Sequence, residues 1–225
     1  MNTTVMCVLR SGGQYDVEWV RKLRDGIHRN TTAPYEFKCL SDVEIDITEP
    51  CKQKCERIPL QHDWPGWWAK IELFRPGVIT GPTLYLDLDT IITANIDHLI
   101  DDLRYSKYTF AMLRNFHQPD FVGSGVMWFA DEDAVPHKVY EKFRKQPDAY
   151  MAHHERVRKG SHLGDQAFIA DTIGLENIEM LDVPGLKSFK YHARTFLPPD
   201  AALVCFHGNP RPPEAKAKWV AEHWR

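Results

Sequence analysis

Residues 83–90 read Thr83-Leu84-Tyr85-Leu86-Asp87-Leu88-Asp89-Thr90, an apolar run with two aspartates at alternate positions of its end. On an extended backbone alternate residues share a side, so both carboxylates are expected to project the same way from the end of a buried strand. Two carboxylates that close repel, and each is costly to leave beside a core. A bound Mn2+ or Mg2+ resolves the conflict, because hard cations take carboxylate oxygens and can still bridge substrate phosphates. A solvated aspartate pair capping a turn would also explain a bare D-x-D. The flanking LYL and TII favour the strand-end site.

Working outward, residues 4–9 (TVMCVL) form a β-branched apolar run that stops at Arg10-Ser11-Gly12-Gly13, a strand entering a loop. Residues 16–28 place Val17, Val20, Leu23, Arg24 and Ile27 at helical spacing. Residues 35–40 read as a second strand after Pro34, 41–64 as irregular, and 67–74 as a short helix ending before Arg75-Pro76-Gly77. Further strands are predicted at 108–113, 125–130 and 203–206. Further helices are predicted at 96–103, 134–145, from 165, and loosely at 213–224. Apolar strands without polar alternation, separated by helices, predict one α/β domain whose mostly parallel central sheet is covered by helices on both faces. Ligands of such sheets sit outside the carboxyl ends of the strands. Arg10-Ser11-Gly12, Asp87-Leu88-Asp89 and His207-Gly208 all fall at predicted strand ends, and this convergence argues for a site.

The chain has 225 residues, 43% hydrophobic and 26% charged, which suits a single core-forming domain. A formal net charge of -3 argues against a coat for nucleic acid. No run approaches the roughly 20 apolar residues of a membrane span, and no basic leader opens the sequence. A cytoplasmic, transmembrane-free protein is the expectation. The five cysteines, Cys7, Cys39, Cys51, Cys55 and Cys205, read as reduced thiols, and the Cys51/Cys55 spacing does not match a zinc knuckle.

The stretch 66–99, GWWAKIELFRPGVITGPTLYLDLDTIITANIDHL, resembles glycosyltransferases of the GT-A fold, especially the glycogenin and lipopolysaccharide galactosyltransferase group. The resemblance implies a single GT-A-like, Rossmann-related domain, with nucleotide binding over about 1–115 and acceptor binding and catalysis over about 116–225. It implies that Asp87 and Asp89 hold Mn2+ against a donor diphosphate beside Leu88, with Lys70 near the nucleotide sugar. His207-Gly208-Asn209-Pro210-Arg211-Pro212 is similar to the H-G-x-x-K-P signature of the same group, with arginine replacing lysine. There His207 would be the third metal ligand, Gly208 would let the backbone approach the phosphates, and Arg211 would neutralise them. Gly164-Asp165-Gln166 resembles the element these retaining enzymes place under the anomeric carbon, although Asp165 could also simply cap a helix. The stretch from Phe121 to Met127 resembles the group's N-S-G-V-M, with Gly123 where asparagine is usual and Ser124 and Gly125 beside the donor. Arg10, Ser11, Gly12 and Tyr15 match the loop that holds the nucleoside.

Trp64, Trp67 and Trp68 are expected in the core or on the floor of an acceptor pocket. His153, His154 and His162 are expected in an exposed, mobile loop. The functional expectation is a metal-dependent hexosyltransferase moving a sugar from a nucleoside-diphosphate donor, such as a UDP-sugar, to an acceptor hydroxyl with retention. The acceptor class stays open among glycan, lipid-linked glycan, protein and modified nucleobase. A haloacid-dehalogenase-type phosphohydrolase, with Asp87 as nucleophile, and a non-catalytic sugar-binding module are the alternatives. If His207 is a ligand, metal binding should weaken as pH falls through the histidine range near 6.5.

Overall fold

The computed structural model describes residues 2–47, 51, 53–156 and 163–225. Strand β1 (Thr3–Leu9) leads into helix α1 (Val17–Arg29), followed by β2 (Tyr35–Ser41), β3 (Cys55–Pro59) and a 3₁₀ helix (Gly66–Phe74). Strands β4 (Thr83–Leu86) and β5 (Thr90–Ile92) precede α2 (Asp97–Tyr105), β6 (Phe110–Arg114) and β7 (Val122–Phe129). Helices α3 (Lys138–Phe143), α4 (Pro147–Arg156) and α5 (Gly164–Ile173) follow. The chain closes with β8 (Glu179–Leu181), β9 (Leu186–Ser188), a π-helical turn (Phe189–Ala193), β10 (Leu203–Cys205) and α6 (Lys218–His223).

Seven strands form the central sheet in the order β3-β2-β1-β4-β7-β6-β8. Only β7 runs against its neighbours; the other pairings are parallel. The expected mostly parallel sheet with helices on both faces is what forms. Its strands bury both sides, which is why polar alternation is missing. Val5, Cys7, Leu9, Leu84 and Leu86 join Val20, Leu23 and Ile27 of α1 and Leu99 and Leu103 of α2 in one core. Met6 and Tyr85 face the opposite core with Trp68, Ile71 and Phe74 of the 3₁₀ helix, Phe143 of α3 and Phe168 of α5.

Several elements differ from the sequence reading. The segment 41–64, expected to be irregular, contains β3, which extends the parallel edge by pairing Phe37 to Ser41 with Cys55 to Pro59. The expected helix 134–145 is cut to Lys138–Phe143 because Pro136 precedes it and Pro147 opens the next helix. The C-terminal helix is likewise short, since Pro212 and Pro213 set a 3₁₀ turn before α6. β10 does not extend the main sheet. It lies between β5 and β9 in a separate three-stranded sheet, antiparallel to β5 and parallel to β9. This small sheet has its own core, in which Trp219 and Val220 of α6 meet Phe189 and Phe206. Among the described residues no helix is long and apolar enough to cross a membrane.

Candidate active site

β4 runs into the two aspartates between two buried strands. Leu84, Leu86 and Leu88 all point into one core, so Tyr85 and Asp87 face the other way. The expected alternation stops there. The Thr90 amide donates to the Asp87 carbonyl at 3.0 Å, closing a turn that sends Asp89 in its own direction. The two carboxylates therefore stay close but meet different partners, instead of lining one side of a continuing strand.

Asp87 is held by its backbone amide, which donates to Gly125 O at 2.9 Å, and by the Tyr85 hydroxyl, which donates to Oδ1 at 2.6 Å. A Cβ at Gly125 would stand 3.3 Å from Asp87 Oδ2, so glycine leaves the room the carboxylate occupies. Lys70, 5% exposed, rises from the 3₁₀ helix to lie 2.9 Å from Asp87 Oδ1 and 3.2 Å from Asp165 Oδ2. It also donates to Ser124 Oγ at 3.0 Å. Burial alone would lower the Lys70 pKa, but the Asp165 and Asp87 charges outweigh it and hold the ammonium above the ordinary lysine range. Asp165 accepts a 2.6 Å bond from Ser124 Oγ and caps nothing: the α5 cap position is Leu163, without a side-chain bond. The helix-cap explanation of Asp165 is thus set aside. Gln166 follows it, with Oε1 3.8 Å from where a Cβ on Gly123 would sit.

Asp89 is 2% exposed. Its Oδ2 accepts from the Tyr15 hydroxyl at 3.0 Å and from Arg211 Nη1. Burial, then the Asp87 charge, push its carboxyl up to about 7 despite the Arg211 guanidinium. Tyr15 packs edge-on against Trp19 at 4.7 Å and is committed to Asp89. Arg10 and Ser11 meet at the end of β1, where both bind Asp42 at the end of β2; Arg10 also reaches Asp63. Gly12 turns just beyond them with φ +82°. Sequence reasoning missed Asp42, whose only local signal is its place after a strand.

His207 follows β10 and reaches the site through the small sheet, whose Phe206 amide donates to the Asp89 carbonyl at 3.4 Å. Its Nε2 lies 2.6 Å from Ser188 Oγ. Burial, then Lys190 and Arg211, lower its pKa to about 4, so the ring is neutral at physiological pH. Gly208 adopts φ +71° with Lys190 Nζ 3.1 Å from the position of a Cβ, a conformation and an approach that favour glycine. Among the described residues no three His, Cys, Asp or Glu side chains are grouped as a ready-made metal site. The donor chemistry nevertheless fits a hard cation. Two neighbouring carboxylates, one of them with its ionisation suppressed by burial and then by the other's charge, are what a divalent ion would relieve.

Trp64 and Trp68 are core residues, stacked on His62 and Phe143 respectively. Trp67 is 55% exposed and lies over Gly164 at the start of α5. The loop expected around His153 and His154 is instead α4, with His154 buried against Trp68 and Phe168. His162 lies outside the described residues.

No protein-family model and no curated protein matches the chain by sequence. Solved structures do match in shape. The glycosyltransferase GlyE of Streptococcus pneumoniae TIGR4 superposes with a TM-score of 0.66 over 98% of this chain at 16% identity. The galactosyltransferase LgtC, solved with donor and acceptor sugar analogues, gives 0.62 over 97% of this chain and 93% of its own at 12% identity. Mouse xyloside xylosyltransferase 1 gives 0.55 over 93% of this chain and 98% of its own at 13% identity. The fold is one these glycosyltransferases share. The chain spans 63% of the length of the GlyE structure.

Proposed function

We propose that this protein is a glycosyltransferase that takes a sugar from a nucleoside-diphosphate donor at the Asp87/Asp89 turn and passes it to an acceptor hydroxyl. The observation that carries the reading is the pair of neighbouring carboxylates, one buried and pushed up to about 7, each faced by a cation at contact range, Lys70 on Asp87 and Arg211 on Asp89. Asp87 and Asp89 would hold Mn2+ or Mg2+, with His207 as a neutral third donor; when bound, the ion supplies neutralisation of the diphosphate leaving group. Lys70 and Arg211 hold fixed positive charge on either side of that position and add to the same stabilisation. Arg10, Ser11 and Gly12, at the adjoining end of β1, border the nucleoside, for which uridine is the proposed case.

Asp165 is engaged by Lys70 and Ser124, so its role is to aim the lysine. Gln166, next to Asp165 at the start of α5, is proposed to face the anomeric carbon, with retention of configuration. Gly123 beside it leaves space that a larger residue would fill, which bears on the choice of sugar. The phosphohydrolase alternative needs a second acidic strand end, and Asp165, the candidate for it, lies on a helix.

The test is a thermal-shift screen of nucleotide sugars with and without Mn2+, in which a ligand at 100 times its Kd adds about 2.7 kcal/mol. A UDP-sugar should raise the melting temperature only with the cation present. No shift with any nucleoside-diphosphate sugar would defeat the reading. Aryl phosphatase activity that disappears in Asp87→Asn would favour the hydrolase instead.

A further inference from the structure

Two tyrosines are tied to the aspartate pair in the same way. Tyr85, 2% exposed on β4, donates its hydroxyl to Asp87 Oδ1 at 2.6 Å. Lys70 Nζ approaches that same oxygen at 2.9 Å and stands over the Tyr85 ring, 5.5 Å from its centroid. Tyr15, in the loop between β1 and α1, donates its hydroxyl to Asp89 Oδ2 at 3.0 Å. Arg211 binds that same oxygen, and its guanidinium carbon stands over the Tyr15 ring, again 5.5 Å from the centroid. Each carboxylate is therefore held by one hydroxyl and one cation, and each cation lies on the ring of the tyrosine that shares its aspartate.

A buried tyrosine hydroxyl has to find a hydrogen-bond partner, so a single bond of this kind would need no functional explanation. Here it occurs twice, on tyrosines from separate segments, and both times the hydroxyl and the cation meet on one oxygen. The other two oxygens, Asp87 Oδ2 and Asp89 Oδ1, accept no hydrogen bond among the described residues. Asp87 Oδ2 lies against Gly125, where a Cβ would stand 3.3 Å away, so that neighbour leaves it uncovered. The tyrosines are the stiff members of each group. The Tyr85 ring belongs to the buried core that includes Trp68 and Phe74, and Tyr15 sits edge-on against Trp19 at 4.7 Å. Long lysine and arginine stems can follow a carboxylate that turns, whereas a packed ring cannot.

We propose that Tyr85 and Tyr15 are positioning residues for the divalent cation of the site and set which cation it takes. The proposal rests on the donor reading of the Asp87/Asp89 turn. A carboxylate tied through one oxygen offers the ion only the other, so each aspartate contributes a single ligand atom. That suits Mn2+ or Mg2+, which take octahedral oxygen sites. It disfavours Ca2+, which takes about six to eight oxygens and readily uses both atoms of a carboxylate. Untying the held oxygen lets the carboxylate turn and grip a larger ion with both atoms. Tyr15 thereby works on the cation side of the donor, although it lies in the loop expected to hold the nucleoside.

Calorimetric titration of Mn2+ and of Ca2+ with UDP present, measured above binding to UDP alone, tests the assignment in the wild type, Tyr85→Phe, Tyr15→Phe and the double variant. Phenylalanine keeps both rings and their packing and removes only the hydroxyls. Each variant should bind Mn2+ about tenfold more weakly, with Ca2+ affinity changed by about twofold at most, so that the preference for Mn2+ narrows about fivefold. Tyr140→Phe, on α3, removes a hydroxyl that lies 2.8 Å from His62 Nε2 and should leave both affinities unchanged. Unchanged Mn2+ binding in the double variant overturns the proposal. So does an equal loss for the two ions, which is what a loosened fold alone would give. Wild-type protein that binds neither ion with UDP present would defeat the donor reading, and the tyrosine assignment would fall with it.

Discussion

Asp89 carries the clearest pH consequence at the scale of single residues. Its pKa is raised to about 7 in the folded protein against about 3.9 in an unfolded chain. A raised carboxyl binds its proton more tightly when folded. The associated stability is therefore fully present below about pH 4 and is lost as pH rises through 7. The cation-free protein should melt at a lower temperature at pH 8 than at pH 5. Asp89→Asn should flatten that slope and raise the melting temperature at pH 8, while abolishing any Mn2+-dependent shift with donor. Arg211 tolerates the change because its side chain is one-fifth exposed. An Asn variant with the wild-type slope, followed by differential scanning fluorimetry across pH, would show that Asp89 is not the group responsible. Asp87 and Asp89 were legible in the sequence because alternation on an apolar strand is a local pattern. Their separate cations were not, since the turn at 87–90 is closed by one backbone bond that no composition announces.

Among the elements, α2 is anchored from outside itself. Its first residue, Asp97, accepts from the Thr32 amide at 3.0 Å, the Thr32 hydroxyl at 2.6 Å and the Ala33 amide at 3.3 Å. Thr31 and Asn95 also donate to it. Burial pushes its carboxyl up, but the donors together, Thr31 and Thr32 foremost, outweigh it and hold the group well below the usual carboxylate range. Because the group is partly exposed, Asp97→Ala is expected to remove only about 1 kcal/mol, the scale of a helix-end side-chain bond. The lowered pKa gives the opposite sign to Asp89: the contribution is present above about pH 4 and lost as pH falls below it. Urea melts at pH 7 and pH 3 should show the wild-type and variant proteins converging at the acidic end; an equal difference at both pH values would contradict the ion-based account. α1 was readable from its helical spacing, and a helix over 67–74 from where it stops, before Arg75-Pro76-Gly77. α4 was not, because its sequence is polar and only its packing on Trp68 and Phe168 makes His154 a core residue.

For the whole molecule, the site depends on two sheets meeting. Asp87 and Asp89 leave the large sheet and His207 leaves the small one, and the Asp89–Phe206 backbone bond joins them. His207→Ala should weaken Mn2+-dependent donor binding by calorimetry while leaving the melting temperature near the wild-type value, since the ring is only half-buried. His98→Ala, exposed on α2, should change neither. The pH window differs from the one expected from an ordinary histidine. With His207 lowered to about 4 by burial and by Lys190 and Arg211, the imidazole stays neutral through pH 5. Metal affinity should therefore hold through the range near 6.5 and fall only at more acidic pH. Unchanged affinity in His207→Ala would remove the histidine from the ligand set.

The sequence by itself determined the fold class and the place of the carboxylate turn. Continuous apolar strands, helical spacing and a D-x-D at a strand end are properties of neighbours along the chain, and burial acts on them wherever they occur. Tertiary structure alone decided which cation faces which carboxylate, and that β10 joins β5 and β9 instead of the main sheet. β10 was legible as a strand at 203–206 but its partners were not, and the pairing of Ser188 with His207, or of Lys70 with Asp165, depends on packing between segments far apart in the chain. Those contacts join segments far apart in the chain, so no stretch of sequence holds them alone.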